Sequence, residues 1–361
     1  MPFLDETAEI ICRDSLLDMK SSEPFRMRRG MSNLLDLSRA CRQESNPLAT
    51  HQVSEWCTPP VLRSVIEKII DAEIIAHDEH MLEQAITFLI SVKDANVEML
   101  DAMLQEGLPT AWLFSVMECE RLATISSPKM HRRNEDSVLR GLLTLGLSCL
   151  TSSTQQRLQF LRNRGLLFLN DFIGRHSTSS KLVAAAFEIL AVLCAEEERV
   201  RLQLHSASTT PATSLLHVVL YHVAHSNADT VLEHALKVLI AQSAFVPSRT
   251  FFLQQRSLAL AGSHLSQQQQ SHSPEVTLLA LQWSRFLVHS ESVCREFLEF
   301  DILGGIASLL LRQTGPESAS AALGLLEDLL RFECFRASAQ HVLPLIHSII
   351  ALYVLADHAG W

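Results

Sequence analysis

Apolar positions recur along this chain in one short pattern: a small residue, an apolar residue, any residue, an apolar residue, then Leu. The copies are Ala85-Ile86-Thr87-Phe88-Leu89, Gly141-Leu142-Leu143-Thr144-Leu145, Ala186-Phe187-Glu188-Ile189-Leu190, Ala235-Leu236-Lys237-Val238-Leu239, Ala280-Leu281-Gln282-Trp283-Ser284 and Ala322-Leu323-Gly324-Leu325-Leu326. They are spaced by 56, 45, 49, 45 and 42 residues. Numbering the small residue zero, +1 is apolar in every copy, and +3 in all but Thr144. Position +4 is Leu in all but Ser284, and Val92, Leu193, Leu287 and Leu329 are apolar at +7. Met81/Leu82, Leu182/Val183 and Val231/Leu232 extend the stripe upstream. Positions −4, −3, 0, +1, +3, +4 and +7 share a broad face of an α-helix, wide enough to touch neighbours on more than one side. Ala or Gly at position zero lets a second helix approach closely. Recurrence every ~40–47 residues marks stacked two- or three-helix units. The pattern therefore predicts an all-α fold, a right-handed α-solenoid of about six units.

A second helix is expected before each copy, over Gly107–Met117, Gly165–Ile173, Ser214–Val223, Ser257–Leu265 and Gly304–Leu311. A third, shorter helix is a candidate at Gln155–Asn163 and Val293–Phe300. Turn-like segments connect them: His176–Ser180, His225–Asp229, Ser266–Ser273 and Thr314–Pro316. The long first interval holds a polar insertion, Ala123–Ser137, expected to be a loop. Gln267–Gln270 is a short low-complexity loop. Residues 1–60 read as an irregular helical cap, with pieces near Glu6–Met19 and Met31–Cys41 and a linker Gln43–Pro60. Residues 61–361 form the repeat domain.

The stretches Leu161-Arg162-Asn163-Arg164-Gly165-Leu166-Leu167 with Leu182–Leu193, and Phe297 through Gly304-Gly305-Ile306 to Leu330, resemble the armadillo family, with HEAT repeats a close relative. The resemblance covers roughly residues 80–355. It implies a Gly at the turn between the first and second helices, and an Ala-rich third helix lining a concave groove. It also implies a non-catalytic scaffold or adaptor that binds a protein partner on its curved face. The alternative is an accessory factor of an enzyme or chaperone, since some armadillo-like proteins hasten nucleotide release from Hsp70. Importin-type members resemble one another in Trp and Asn at positions +2 and +6. Here +2 is Thr87, Leu143, Glu188, Lys237, Gln282 and Gly324, and +6 is Ser91, Leu147, Val192, Ala241, Phe286 and Asp328. That departure argues against carriage of nuclear signals, and Trp283, one place off, is expected to face the core. The polar positions Glu188, Lys237, Gln282 and Arg285 are the candidate partner contacts.

Composition narrows the classes. The chain has 361 residues, 47% hydrophobic, with 12 Gly and 12 Pro, enough for a large helical core. Its net charge is −10. Ten acids against Lys68 and Lys93 lie between Glu67 and Glu106, either a solvated helix face or a landing surface for a basic partner. An acidic chain is a poor match for a phosphate backbone, so no nucleic acid is expected. Eight cysteines without C-x-x-C spacing, several in apolar runs, fit a reduced compartment and the absence of zinc. Acidic residues near Met1 replace the basic region of a signal peptide. The expected location is cytoplasmic or nuclear. Val342–Ala356 is apolar over 15 residues, short of the roughly 20 a bilayer span needs. It reads as a final core helix.

Signature loops for phosphate binding and hydrolysis are absent, as is H-E-x-x-H. His77-Asp78-Glu79-His80 and His217/His222/His225 bring imidazoles near one helical face. Neither set has a nearby Cys, and the expectation is surface or packed histidines with no metal or cofactor. Ser127-Pro128 and Ser273-Pro274 are turn starts or sites of proline-directed phosphorylation.

Overall fold

The computed structural model describes residues 2–21, 23–43, 56–96, 98–125, 135–208, 214–266, 273–299 and 316–338, with single positions 303, 306 and 347. Regular structure in the described residues is helical throughout. The fold is all-α, of the helical-repeat or α-solenoid class. It divides into two compact units, 1–165 and 166–361. Apart from the single positions 306 and 347, the apolar run at 342–356, Gly304-Gly305 with the second helix expected there, the Gln267–Gln270 loop, and residues 126–134 with Ser127 lie outside the described residues.

Unit one holds α1 (Pro2–Met19), α2 (Pro24–Gln43), α3 (Pro59–Ile69), α4 (Ala72–His77), α5 (Glu79–Ala95), α6 (Glu98–Gln105), α7 (Leu108–Ile125), α8 (Glu135–Ser152) and α9 (Thr154–Arg162). The first two form a hairpin, and α2 packs on α5. Gly30 allows the hairpin to close, because a Cβ there would lie 2.6 Å from the Ser15 carbonyl. Buried Asp18 ties the pair by accepting from Arg26 at 3.1 Å and Arg29 at 2.7 Å. Next, α5 packs on α8, and α7 covers α8. A Cβ on Gly141 would sit 2.5 Å from Ile86 Cγ2. Position zero of one copy thus meets +1 of the copy before it.

Unit two holds α10 (Gly165–Arg175, starting on the boundary residue), α11 (Ser180–Glu196), α12 (Glu198–Ala207), α13 (Leu215–His225), α14 (Asp229–Ser243), α15 (Val246–Gln254), α16 (Ser257–Ser266), α17 (Pro274–Leu287), α18 (Glu291–Glu299), α19 (Pro316–Leu330) and α20 (Glu333–Ala337). The pattern-bearing helices pack in series, α11 on α14, α14 on α17 and α17 on α19. Ala186, Ala235, Ala280 and Ala322 are fully buried between them. Trp283 is buried as expected and meets the Phe252 ring edge-on at 6.0 Å. Leu323 departs from its copies: it is 39% exposed. Position +1 is covered by the next helix of the series, and none follows α19 among the described residues.

The short first helix is more regular than the sequence suggests. Besides α9 and α18 it recurs as α6, α12, α15 and α20. These helices are brief and polar, so their apolar period is too short to read. They carry a second repeat of their own. Arg157, Arg201, Arg249 and Arg336 each occupy the fourth residue of a first helix and bond back to the end of the preceding third helix. Arg157 donates to the Leu150 carbonyl at 3.0 Å and Arg201 to the Cys194 carbonyl at 2.6 Å. Arg249 donates to Ser243 at 2.7 Å and Arg336 to Leu330 at 3.2 Å. The last carbonyls of a helix lack partners and sit at its negative end, so a guanidinium satisfies both needs.

The turn from first to second helix is also corrected. It needs a left-handed residue, and Gly107 (φ 97°) supplies one. Arg164 (φ 61°) and Arg256 (φ 56°) supply the others, at a cost of about 1 kcal/mol each. Gly165 follows the left-handed Arg164 and serves close packing instead, since a Cβ there would overlap the Phe160 ring.

Three outcomes are expected. Gly141→Ala destabilises by about 1–3 kcal/mol through overpacking, although Ala is the better helix former. Gly174→Ala, where a Cβ meets nothing within 4 Å, stabilises by up to about 1 kcal/mol. Denaturant midpoints check the pair. Arg201→Ala costs about 1.5 kcal/mol by stripping the α11 carbonyls of their donor, and urea unfolding at constant m-value measures it.

Candidate functional site

Glu188, Lys237 and Gln282 occupy the same register position, +2, of α11, α14 and α17, and Arg285 lies one turn further along α17. Position +2 falls between the apolar positions, so it points away from the seam. The first three are half-buried and Arg285 is exposed. The packing order of these helices places the four on one face of unit two. Gly324 holds +2 in α19, and its missing side chain leaves room for the Arg285 guanidinium, which a Cβ would approach to 2.8 Å.

Three residues that the sequence reading overlooked complete the face. Glu233 binds Lys237 Nζ at 2.6 Å, an i,i+4 pair with the acid first, as the helix favours. Asp328 binds Arg285 Nε at 2.9 Å across the α17–α19 seam. His234 lies in the charge field of Glu188, Glu233 and Lys237. Burial holds its imidazole below the ordinary value, with the two carboxylates pulling the other way. The Glu233/Lys237 spacing was readable in sequence. The other contacts run across seams more than forty residues apart and needed the fold.

A different feature lies in unit one. Between α7 and α9, Trp112, Phe114, Met117 and Phe160 line a cleft of about 190 Å³, rimmed by Gln156 and Asn163. Phe114 and Met117 are exposed.

The acidic stretch Glu67–Glu106 has structural work. Asp71 caps α4 by accepting from the Glu73 and Ile74 N–H groups. Asp78 caps α5 and accepts from Arg28 at 2.7 Å, and Glu106 binds Arg63 at 2.6 Å. The second histidine group is spent on packing. His217 meets Phe251 edge-on, His222 meets Phe187 edge-on, and His225 stacks on Tyr221. Among the described residues, no three His, Cys, Asp or Glu side chains are placed to hold a metal ion. Ser273 is the N-cap of α17: its Oγ accepts from the Val276 N–H at 3.3 Å, and its own N–H donates to Asp229 at 2.9 Å.

No protein-family model matches the chain, and no curated protein matches it. Among solved structures it is similar to an engineered protein from the Northeast Structural Genomics Consortium, at 11% identity and a TM-score of 0.51 over 90% of this chain and 94% of that one. It is also matched to a designed armadillo repeat protein at 13% identity, with a TM-score of 0.36 over 87% and 98% of the two chains. At such identity the first likeness bears on the fold alone. No helix among the described residues is long and apolar enough to cross a membrane.

Packed His222 gives a pH dependence. Burial lowers the His222 imidazole below its ordinary value, and neighbouring His225 adds to the effect. The unfolded chain takes this proton at about pH 6.5, the folded chain only at lower pH. Stability is therefore complete above that range and falls as pH drops through it. His222→Phe, which keeps the ring against Phe187, should flatten part of the decline in melting temperature between about pH 7 and pH 5.

Proposed function

We propose that this chain is a non-catalytic scaffold or adaptor of armadillo-like type, and that it holds a protein partner on the third-helix face of unit two. The observation that carries the reading is the alignment of Glu188, Lys237 and Gln282 in one register along packed helices, with Arg285 one turn further along α17, each side chain at least partly open to solvent. Packed helices keep these groups in place before a partner arrives, so little ordering entropy is lost on contact. The three-helix unit with its short first helix favours the armadillo resemblance over the two-helix HEAT one. Free cysteines, nearly all buried among the described residues, fit a reducing setting, cytoplasmic or nuclear.

The test begins with proximity labelling in the native cell to obtain a partner, followed by titration of the purified pair. Glu188→Lys with Lys237→Glu should weaken binding at least about tenfold, 1.4 kcal/mol, and leave the melting temperature nearly unchanged. Charge reversal at exposed Arg199, on a first helix, should leave affinity as it was. Equal affinity for all three proteins would remove this face from consideration.

A further inference from the structure

The short helices α18 and α20 touch, and their contact gathers two thiols and a carboxylate. The Glu291 carboxylate accepts the Cys334 N–H at 2.6 Å and so caps α20 from outside it. Cys334 Sγ lies 3.7 Å from the Glu291 carbonyl oxygen. One turn along α18 from Glu291 lies Cys294, on the helix that α20 packs against, and the two thiols are near enough to perturb one another. Cys294 is fully buried. Cys334 is half-buried, and it is the most exposed of the cysteines whose burial is described.

We propose that Cys294 and Cys334 form an oxidisable pair that closes to a disulfide and covalently ties α18 to α20. The oxidant is a low-molecular-weight disulfide, such as glutathione disulfide. Cys334 gives its proton to water, and its sulfur attacks one sulfur of the oxidant. The oxidant's S–S bond breaks, and the first glutathione leaves as a thiolate. Cys294 then attacks the Cys334 sulfur, the mixed disulfide breaks, and the second glutathione leaves. The two released thiolates take up the two protons lost by the protein. One disulfide is consumed and one is made.

Exposure sets the order: solvent reaches half-buried Cys334 and not buried Cys294. Burial pushes the Cys294 thiol up to about 12 and raises Cys334 as well. The Glu291 charge raises both, and Arg295 opposes it at Cys334. The thiolate is the attacking species, so closure is slow. The loop closed by the bond contains α19, the final member of the third-helix series among the described residues. Oxidation therefore fastens that end of unit two.

The full chain is equilibrated in glutathione buffers of rising oxidised fraction, quenched with acid, alkylated and mapped by mass spectrometry. A cross-linked Cys294–Cys334 peptide should accumulate, the melting temperature should rise, and dithiothreitol should reverse both changes. Cys294→Ser should halt at a mixed disulfide of Cys334 with glutathione, and Cys334→Ser should leave Cys294 unmodified. The proposal fails if the unaltered protein also halts at the mixed disulfide, if Cys334 links to another cysteine, or if the bond forms without a melting shift. It fails too if Cys334 stays unmodified while a urea-denatured control reacts.

Discussion

The contact of Gly141 with Ile86 sets how near α8 lies to α5, and buried alanines occupy the same register along α11, α14, α17 and α19. A helix with so wide an apolar stripe is unstable alone in water. Burial of apolar surface returns about 25 cal/mol per Å², but only where the surfaces meet closely. A leucine at position zero would hold the next helix off and open gaps along the whole seam. The small residue therefore governs the packing of its neighbours more than its own few atoms would suggest. The remaining width of the stripe is covered by second helices, as α13 covers α14 and α16 covers α17.

Close packing brings a second constraint at the helix ends. Each third helix stops beside the next first helix, where its final carbonyls would lose water without gaining a partner. The arginines meet that need with one long side chain each. Arg249 also lies over the Phe286 ring at 5.7 Å, so the same guanidinium bonds to α14 and rests against α17. Buried Gln242 has a related role, donating from its amide to the Arg201 carbonyl and to Ser248, each at 2.8 Å. These polar groups fix the path of the chain between helices, where the apolar stripe has no say.

The sequence disclosed the parts of the fold that rest on local periodicity. The third helices, and second helices such as α13 and α16, follow from 3.6-residue spacing, and Trp283 was legible as a core residue because +3 lies inside the stripe. The first helices were legible only in part. Five to ten residues, many of them polar, give no clear stripe, and their signal was an arginine recurring fourteen to sixteen residues after the small residue in the last five copies, in Arg157, Arg201, Arg249, Arg295 and Arg336. The left-handed turn residues were misread for a related reason. Gly is the expected occupant, yet Arg164 and Arg256 hold the position because the flanking helices leave the chain no other route.

The candidate face shows where local reading stops. Register alone groups Glu188, Lys237 and Gln282, because counting residues per turn places +2 away from the seam. It does not show that Lys237 is already engaged by Glu233 or Arg285 by Asp328, and the second pair spans 43 residues. Exposed ion pairs of this kind contribute roughly 0–1 kcal/mol to folding, so they bind the cations weakly. A partner bearing its own carboxylate must exchange for one already present and gains only the difference. A partner bearing a cation meets Glu188, whose charge is shared with a half-buried imidazole, His234, rather than with a lysine or arginine. The electrostatic opening on this face therefore lies nearer Glu188 than the two basic residues that sequence alone makes conspicuous.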